Sequence, residues 1–191
     1  MAPLSRENLG KFLLDGSDTR ETTAALAWLE RELGIVLTQE NRHIVRAMAA
    51  VRAGTPPEAV ARVLDWKEFE AFCARLLRAK GLEVTENLML TKPRGQVDIL
   101  ARTSRIALAV DCKHWARSMG MSALSKAAGD QARRADLVRL KMGRLEPMIV
   151  VVLVLSDAPT KYVNGAAVVP VHVLGDFIDN VDSYAEGLPG H

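Results

Sequence analysis

The sequence predicts an α/β sandwich built on a mixed sheet and preceded by a small all-helical region. Three observations carry that expectation. Up to Gly81 the apolar residues recur at helical spacing, and after it the period changes to two. The run from Met148 to Leu155 is continuously aliphatic, as in a central strand covered on both faces. Between these stretches lies one long helical segment, so the order is helix, three strands, helix, strand, strand, helix.

Each element has a local reason. Ala24 to Leu33 places Leu26, Leu29 and Leu33 on one helical face and ends at Gly34. Asn41 to Val51 repeats the pattern with Ile44, Val45, Met48 and Val51, stopping at Gly54. At Thr55 a helix start is expected, with Thr55 as cap, Pro56 in the first turn and Glu58 closing a capping box. A second box, Asp65 with Glu68, breaks the chain near Leu64 and opens a helix from Trp66 to Lys80. Its core face is Phe69, Phe72, Cys73, Leu76 and Leu77, and Gly81 ends it. Leu82 to Leu90, Gln96 to Ala101 and Ile106 to Lys113 read as strands, with a loop at 92–95 and a short hairpin link at 102–105. Ser122 to Lys141 is the long helix, with Leu124, Ala127, Ala128, Ala132, Ala135 and Val138 along its apolar stripe. After the aliphatic run, Ala167 to Val173 is a strand that Pro170 marks as an edge or bulge. A last short helix starts near Gly175 and includes Phe177 and Ile178. The domain boundaries that follow are a helical region 1–64, an α/β domain 65–180 and a tail 181–191.

Composition narrows the function classes. No apolar run approaches the roughly 20 residues of a spanning helix, and no signal peptide opens the sequence, so a cytoplasmic location is expected. The two cysteines, Cys73 and Cys112, have no CxxC spacing, which argues against a zinc site or a disulfide framework. Charge is unevenly distributed. Residues 91–144 hold twelve Lys/Arg against four acids, whereas residues 145–191 hold one Lys against six acids. A basic middle segment suits a polyanion. Residues 1–63 are balanced, with eight basic and eight acidic residues, and nothing there marks a reader of bases.

The chemistry sits on the second and third strands. With the hairpin centred between Thr103 and Ser104, Asp98 lies opposite Ala109. Asp98, Asp111 and Lys113 then project from one face, the two carboxylates as diagonal neighbours. That face also carries Gln96, Leu100, Ala107 and Ala109. The other carries Val97, Ile99, Ile106, Leu108 and Val110. Two carboxylates and an ammonium make a poor core and a good open site. They suit phosphodiester hydrolysis. A hard cation such as Mg²⁺ binds through one or two carboxylates, and Lys113 could position the nucleophile or neutralise phosphate charge. Glu70 is a third acid on the preceding helix. Glu68 competes with it, though Glu68 already has a capping role.

These residues carry a resemblance. Asp98 followed by Asp111, Cys112 and Lys113 resembles the D…(D/E)xK signature of the restriction-endonuclease-like nuclease superfamily. The context strengthens it: Phe69 and Glu70 in a helix, Leu76 and Leu77, Gly81 to Val84, Gln96 to Ala101, and Ala109 to His114. Together they are similar to Mrr-like endonucleases and to archaeal Holliday-junction resolvases. Val97 stands where the signature has Pro, and Asp111 where Mrr enzymes often have Gln. The resemblance spans about residues 65–180. It implies an αβββαβ core with a mixed central sheet and a Mg²⁺- or Mn²⁺-dependent endonuclease acting on DNA, with a homodimer as the commoner arrangement. Carried over by position, Asp98 and Asp111 would be metal ligands, Lys113 the catalytic lysine and Glu70 the helix-borne acid. Cys112 joins the candidate metal set by its place in the motif, its thiol reading as a small buried group. Arg94, Arg117, Lys126, Arg133 and Arg134 are candidate phosphate contacts, which give affinity without sequence reading. His114 is expected to be ordinary, and Trp115 to lie in the core. The competing functions are a non-catalytic nucleic-acid-binding module of the same fold and a Holliday-junction resolvase.

Overall fold

The computed structural model describes residue 12 and residues 20–91, 94–115, 120–143 and 147–186. The chain divides into two compact units, Met1–Phe72 and Cys73–His191. In the first unit, α1 (Arg20–Leu33) and α2 (Arg42–Arg52) follow the predicted spacing. The next helix departs from expectation. α3 is only Pro57–Ala61, and its N-cap is Pro56, whose own side chain makes no capping bond. Thr55, expected as the cap, is instead buried, its N–H donating to Ala50 O. Two successive prolines cause this. Pro56 holds an extended ψ of 135° and so postpones the helix by a residue.

α4 (Trp66–Ala79) starts as predicted. Asp65 Oδ1 accepts from Glu68 N–H at 2.8 Å and Glu68 Oε2 accepts from Asp65 N–H at 2.9 Å, a reciprocal capping box. The helix ends before Gly81, whose φ of 85° an L side chain would resist. Arg78 then ties the helix end to the first strand through Glu86 and the Val84 carbonyl.

The second unit contains one six-stranded sheet. Its strands are β1 (Glu83–Thr91), β2 (Arg94–Arg102), β3 (Ala107–Lys113), β4 (Met148–Val154), β5 (Tyr162–Val163) and β6 (Ala166–Pro170), in spatial order β1-β2-β3-β4-β6-β5. β1, β2 and β3 form an antiparallel meander, while β3, β4 and β6 run parallel. The sheet is therefore mixed, with β3 and β4 at its centre. Crossing between them is α5 (Met121–Met142), closed by Gly143 at φ 57°. Short helices α6 (Leu174–Asp179) and α7 (Val181–Glu186) complete the unit, the latter within the segment set apart as tail. The architecture is that of the restriction-endonuclease-like fold.

α5 buries Leu124, Ala127, Ala128, Ala135 and Val138 against Leu100, Ala107 and Ala109 and against Val150, Val152 and Val168. Small alanines on both helix and β3 let the helix lie close to the sheet. Val97 belongs to the same cluster as Leu100, which corrects its placement on the opposite face. The cause is local. Asn87 has φ 52°, and the β1–β2 pairs skip Asn87 and Asp98, so strict alternation is interrupted there.

The last strand also differs from expectation. β6 stops at Pro170, and Val171–Val173 form a 3-10 turn rather than its continuation. Nor is β6 an edge, because the two-residue β5 pairs outside it with Ala166 and Ala167, and Val168 N–H donates to Lys161 O. β5 ends short of Pro170, so the missing proline N–H is not demanded on that side.

Candidate active site

The turn between β2 and β3 sets the geometry. Thr103 N–H donates to Ile106 O at 2.9 Å, and Thr103 Oγ1 accepts from the N–H groups of Arg105 and Ile106, both at 3.1 Å. Threonine thus joins the loop, and the turn centre moves by one residue. The resulting register pairs Ile99 with Val110 and Leu100 with Ala109. This corrects the expected pairing of Asp98 with Ala109. The paired ladder ends at Ile99 and Val110; continued by one step it would bring Asp98 level with Asp111, and Asp98 does reach the Cys112 N–H. A slip of two residues preserves the face, so the two carboxylates still share a side.

The carboxylates are held differently. Asp98 Oδ2 accepts the Cys112 N–H at 2.9 Å. Asp111, at 2% exposure, is one of the few buried polar side chains. Its Oδ1 accepts from Arg134 Nη1 at 2.9 Å, and Lys113 Nζ lies 2.7 Å from its Oδ2. That second approach is an ion pair rather than a hydrogen bond of regular geometry. Burial pushes the Asp98 carboxyl above the usual carboxylate range, and the charge of Asp111 adds to the rise. The Cys112 N–H, Lys113 and Arg134 oppose it.

This arrangement fits a hard divalent cation. Two oxygen-bearing side chains converge, one whose buried Oδ2 is met by the Lys113 ammonium and one whose charged form burial disfavours. Among the described residues no three His, Cys, Asp or Glu side chains cluster as a metal cage. Two acids by themselves fall short of an all-protein metal cage. The Cys112 thiol is buried and, as a soft donor, contributes nothing obvious to such an ion.

The site opens on a cavity of about 270 Å³ lined by Asp111, Lys113, Trp115, Lys126, Asp130 and Arg134. A second groove, about 640 Å³, shares Asp130 and Arg134 and adds Arg94, Arg133 and Asp136. Of the candidate phosphate contacts, Arg94, Lys126, Arg133 and Arg134 thus border these two openings. Arg117 lies outside the described residues. Arg133 is paired with Asp130 and otherwise exposed. His114 is half-buried just past the strand end. Trp115, expected in the core, is 38% exposed and lines the smaller cavity. The chain has left the sheet by then, so no core face remains for it to join.

On α4, Glu68 is fully engaged: besides the capping box, its Oε1 lies 2.6 Å from His43 Nδ1. Glu70 is half-buried on the same helix. Sequence reasoning missed Gln131, which is fully buried in the stripe of α5 and accepts from Arg134 at 3.4 Å. It also missed the tie between Arg134 and Asp111. A signal existed: Lys126, Asp130 and Arg134 recur at four-residue spacing beside the buried stripe.

Comparison with known proteins points to the same class of domain. Residues 61–139 match the family model for the Mrr catalytic domain, described as a restriction endonuclease. An uncharacterized protein of Archaeoglobus fulgidus is 26% identical over 124 residues, covering 63% of this chain and 95% of that relative.

Proposed function

From the premise that residues 61–139 form a restriction-endonuclease-like nuclease domain, we propose that this protein is a metal-dependent DNA endonuclease of the Mrr type. The observation that carries the proposal is that Asp98, bonded to the Cys112 N–H, and Lys113, paired with Asp111, meet at the C-terminal end of a central strand. In open α/β sheets, ligands bind in the crevice outside the carboxyl ends of strands. Asp98 and Asp111 would hold the Mg²⁺ or Mn²⁺ ion. When bound, such an ion polarises the phosphoryl oxygen and acidifies a water.

The protein's own groups supply the rest. Lys113 is a quarter exposed and borders the cavity, so its ammonium can meet the phosphate charge that grows during cleavage. Arg94, Lys126 and Arg133 supply phosphate contacts along the grooves. Trp115 offers a face for stacking. Glu70 remains the candidate helix-borne acid carried over from the resemblance, and Glu68 already bonds Asp65 and His43.

The test is cleavage of plasmid, four-way junction, single-stranded DNA and RNA with Mg²⁺ or Mn²⁺. Wild type is compared with Asp111→Ala, Lys113→Ala and Glu70→Gln. Metal-dependent cutting of a DNA substrate, abolished in the Asp111 and Lys113 variants, is the expected result. Salt-sensitive DNA binding with no cutting of any substrate would turn the reading to a non-catalytic module. Preference for the junction would turn it to a resolvase.

A further inference from the structure

Gln131 is a polar side chain with no evident packing reason to be where it is. It is fully buried among the alanines of α5, and its Nε2 finds no hydrogen-bond partner. An unsatisfied buried amide costs about 1–3 kcal/mol, and leucine or alanine at this position would avoid that cost. What Gln131 does provide is an acceptor for Arg134, one turn along the helix. Arg134 in turn donates the same Nη1 to Asp111 Oδ1.

We propose that Arg134 is a positioning residue that orients the Asp111 carboxylate for the cation, and that Gln131 holds Arg134 in that pose. The inference rests on the metal-dependent reading above. Both carboxylates then follow one plan. Asp98 has Oδ2 fixed by the Cys112 N–H, and Asp111 has Oδ1 fixed by Arg134. Each would offer its other oxygen to the ion, Asp111 Oδ2 by exchanging its ion pair with Lys113. A carboxylate with one pinned oxygen cannot rotate away, so less ordering is left for binding to accomplish. Arg134 is therefore more than one of the phosphate-facing arginines along the groove, although it borders the same opening.

The two roles predict opposite signs for metal affinity. Removing a nearby cation should, through space alone, tighten binding of another cation. If Arg134 positions Asp111, its removal instead weakens binding. The experiment is Mn²⁺ titration of the DNA-free protein, read by calorimetry, for wild type, Arg134→Ala, Gln131→Leu and Asp111→Asn. The expected result is a Kd for Mn²⁺ raised about 10–100-fold in Arg134→Ala, the usual cost of losing an outer-shell partner. Gln131→Leu should raise it by a smaller factor, because the buried amide can act on the ion only through Arg134. At saturating Mn²⁺, Gln131→Leu should recover turnover with an unchanged KM for DNA. If Arg134→Ala fails to fold, Gln131→Leu, which keeps every charge, decides the matter alone.

An unchanged or tighter Kd in both variants would overturn the inference. A slope of DNA affinity against salt reduced by about one in Arg134→Ala would then leave it a plain phosphate contact. Failure of the underlying reading looks different. In that case wild type itself takes up no Mn²⁺ and matches Asp111→Asn.

Discussion

β3 and β4 are parallel neighbours in register, both deeply buried, and made of contrasting residues. β4 is aliphatic throughout, with every residue buried. β3 matches it through Val110 and then places Asp111 beside Val152 and Lys113 beside Val154. Burial alone therefore does not separate a core strand from a site strand. What separates them is compensation. Asp111 is tolerated at 2% exposure because Lys113 and Arg134 flank its two oxygens. Such an arrangement is weak evidence for stability, since a hydrophobic residue would often serve as well. Its explanation lies in what the carboxylate can bind.

The strongest way to break the comparison is to put a carboxylate where β4 offers no partner. Val150 pairs with Ala109, within the same apolar cluster as Asp111's neighbours, and is 6% exposed. Val150→Asp should cost about 3–5 kcal/mol, the range for an uncompensated buried charge. That is a large part of the roughly 5–15 kcal/mol typical of a domain. The check is the denaturant midpoint. A midpoint near wild type would mean that this face of the sheet tolerates charge generally, and Asp111 would lose its significance.

A smaller effect, on chemistry rather than folding, is expected at Lys113. Lys113→Met keeps the length of the side chain and leaves Asp111 its hydrogen bond from Arg134. Stability should fall by less than in Val150→Asp, because Arg134 still compensates Asp111. The cleavage rate should fall about 10²–10³-fold, as for removal of one electrostatic stabiliser from an active site. Equal loss of rate and of thermal stability would point to a structural ion pair instead.

The contrast between the strands also explains what is legible in the sequence. β4 can be read at once, because a continuous aliphatic run has few other uses. The motif on β3 is legible because acidic and basic residues interrupt such a run at a spacing of two. The face of the site survives an error in register, since the actual turn, built on the Thr103 hydroxyl, shifts the pairing by an even number. What cannot be read depends on contacts distant in sequence. Arg134 reaches Asp111 across 23 positions, and Gln131 gives no sign of burial beyond its place in an alanine-rich stripe. β5 escapes because two residues are too few to show a period. Period-two reasoning misplaces Val97 because the positive φ of Asn87 breaks the alternation it assumes.

The smallest predicted effect sharpens the comparison by removing charge from the other carboxylate. Burial raises the Asp98 pKa in the folded protein, so its ionised form is held there at a cost. The contribution of such a group to stability is fully present below its unfolded pKa, about 3.9, and is lost as pH rises through the folded value. Asp98→Asn is neutral at every pH and its amide oxygen can still accept the Cys112 N–H. The metal-free variant should therefore melt above wild type at pH 8. That advantage should shrink as pH falls through the folded pKa of Asp98 and vanish below the unfolded one. Mn²⁺ should reverse the order, because an ion that binds the folded state at about a hundred times its Kd adds about 2.7 kcal/mol. Wild type gains that increment and the variant loses most of it. Thermal midpoints of both proteins at pH 5 and pH 8, with and without Mn²⁺, test each step. A variant less stable than wild type in the absence of metal at pH 8 would show that the Cys112 N–H and the neighbouring cations outweigh burial, making Asp98 a structural carboxylate rather than one held ready for a cation.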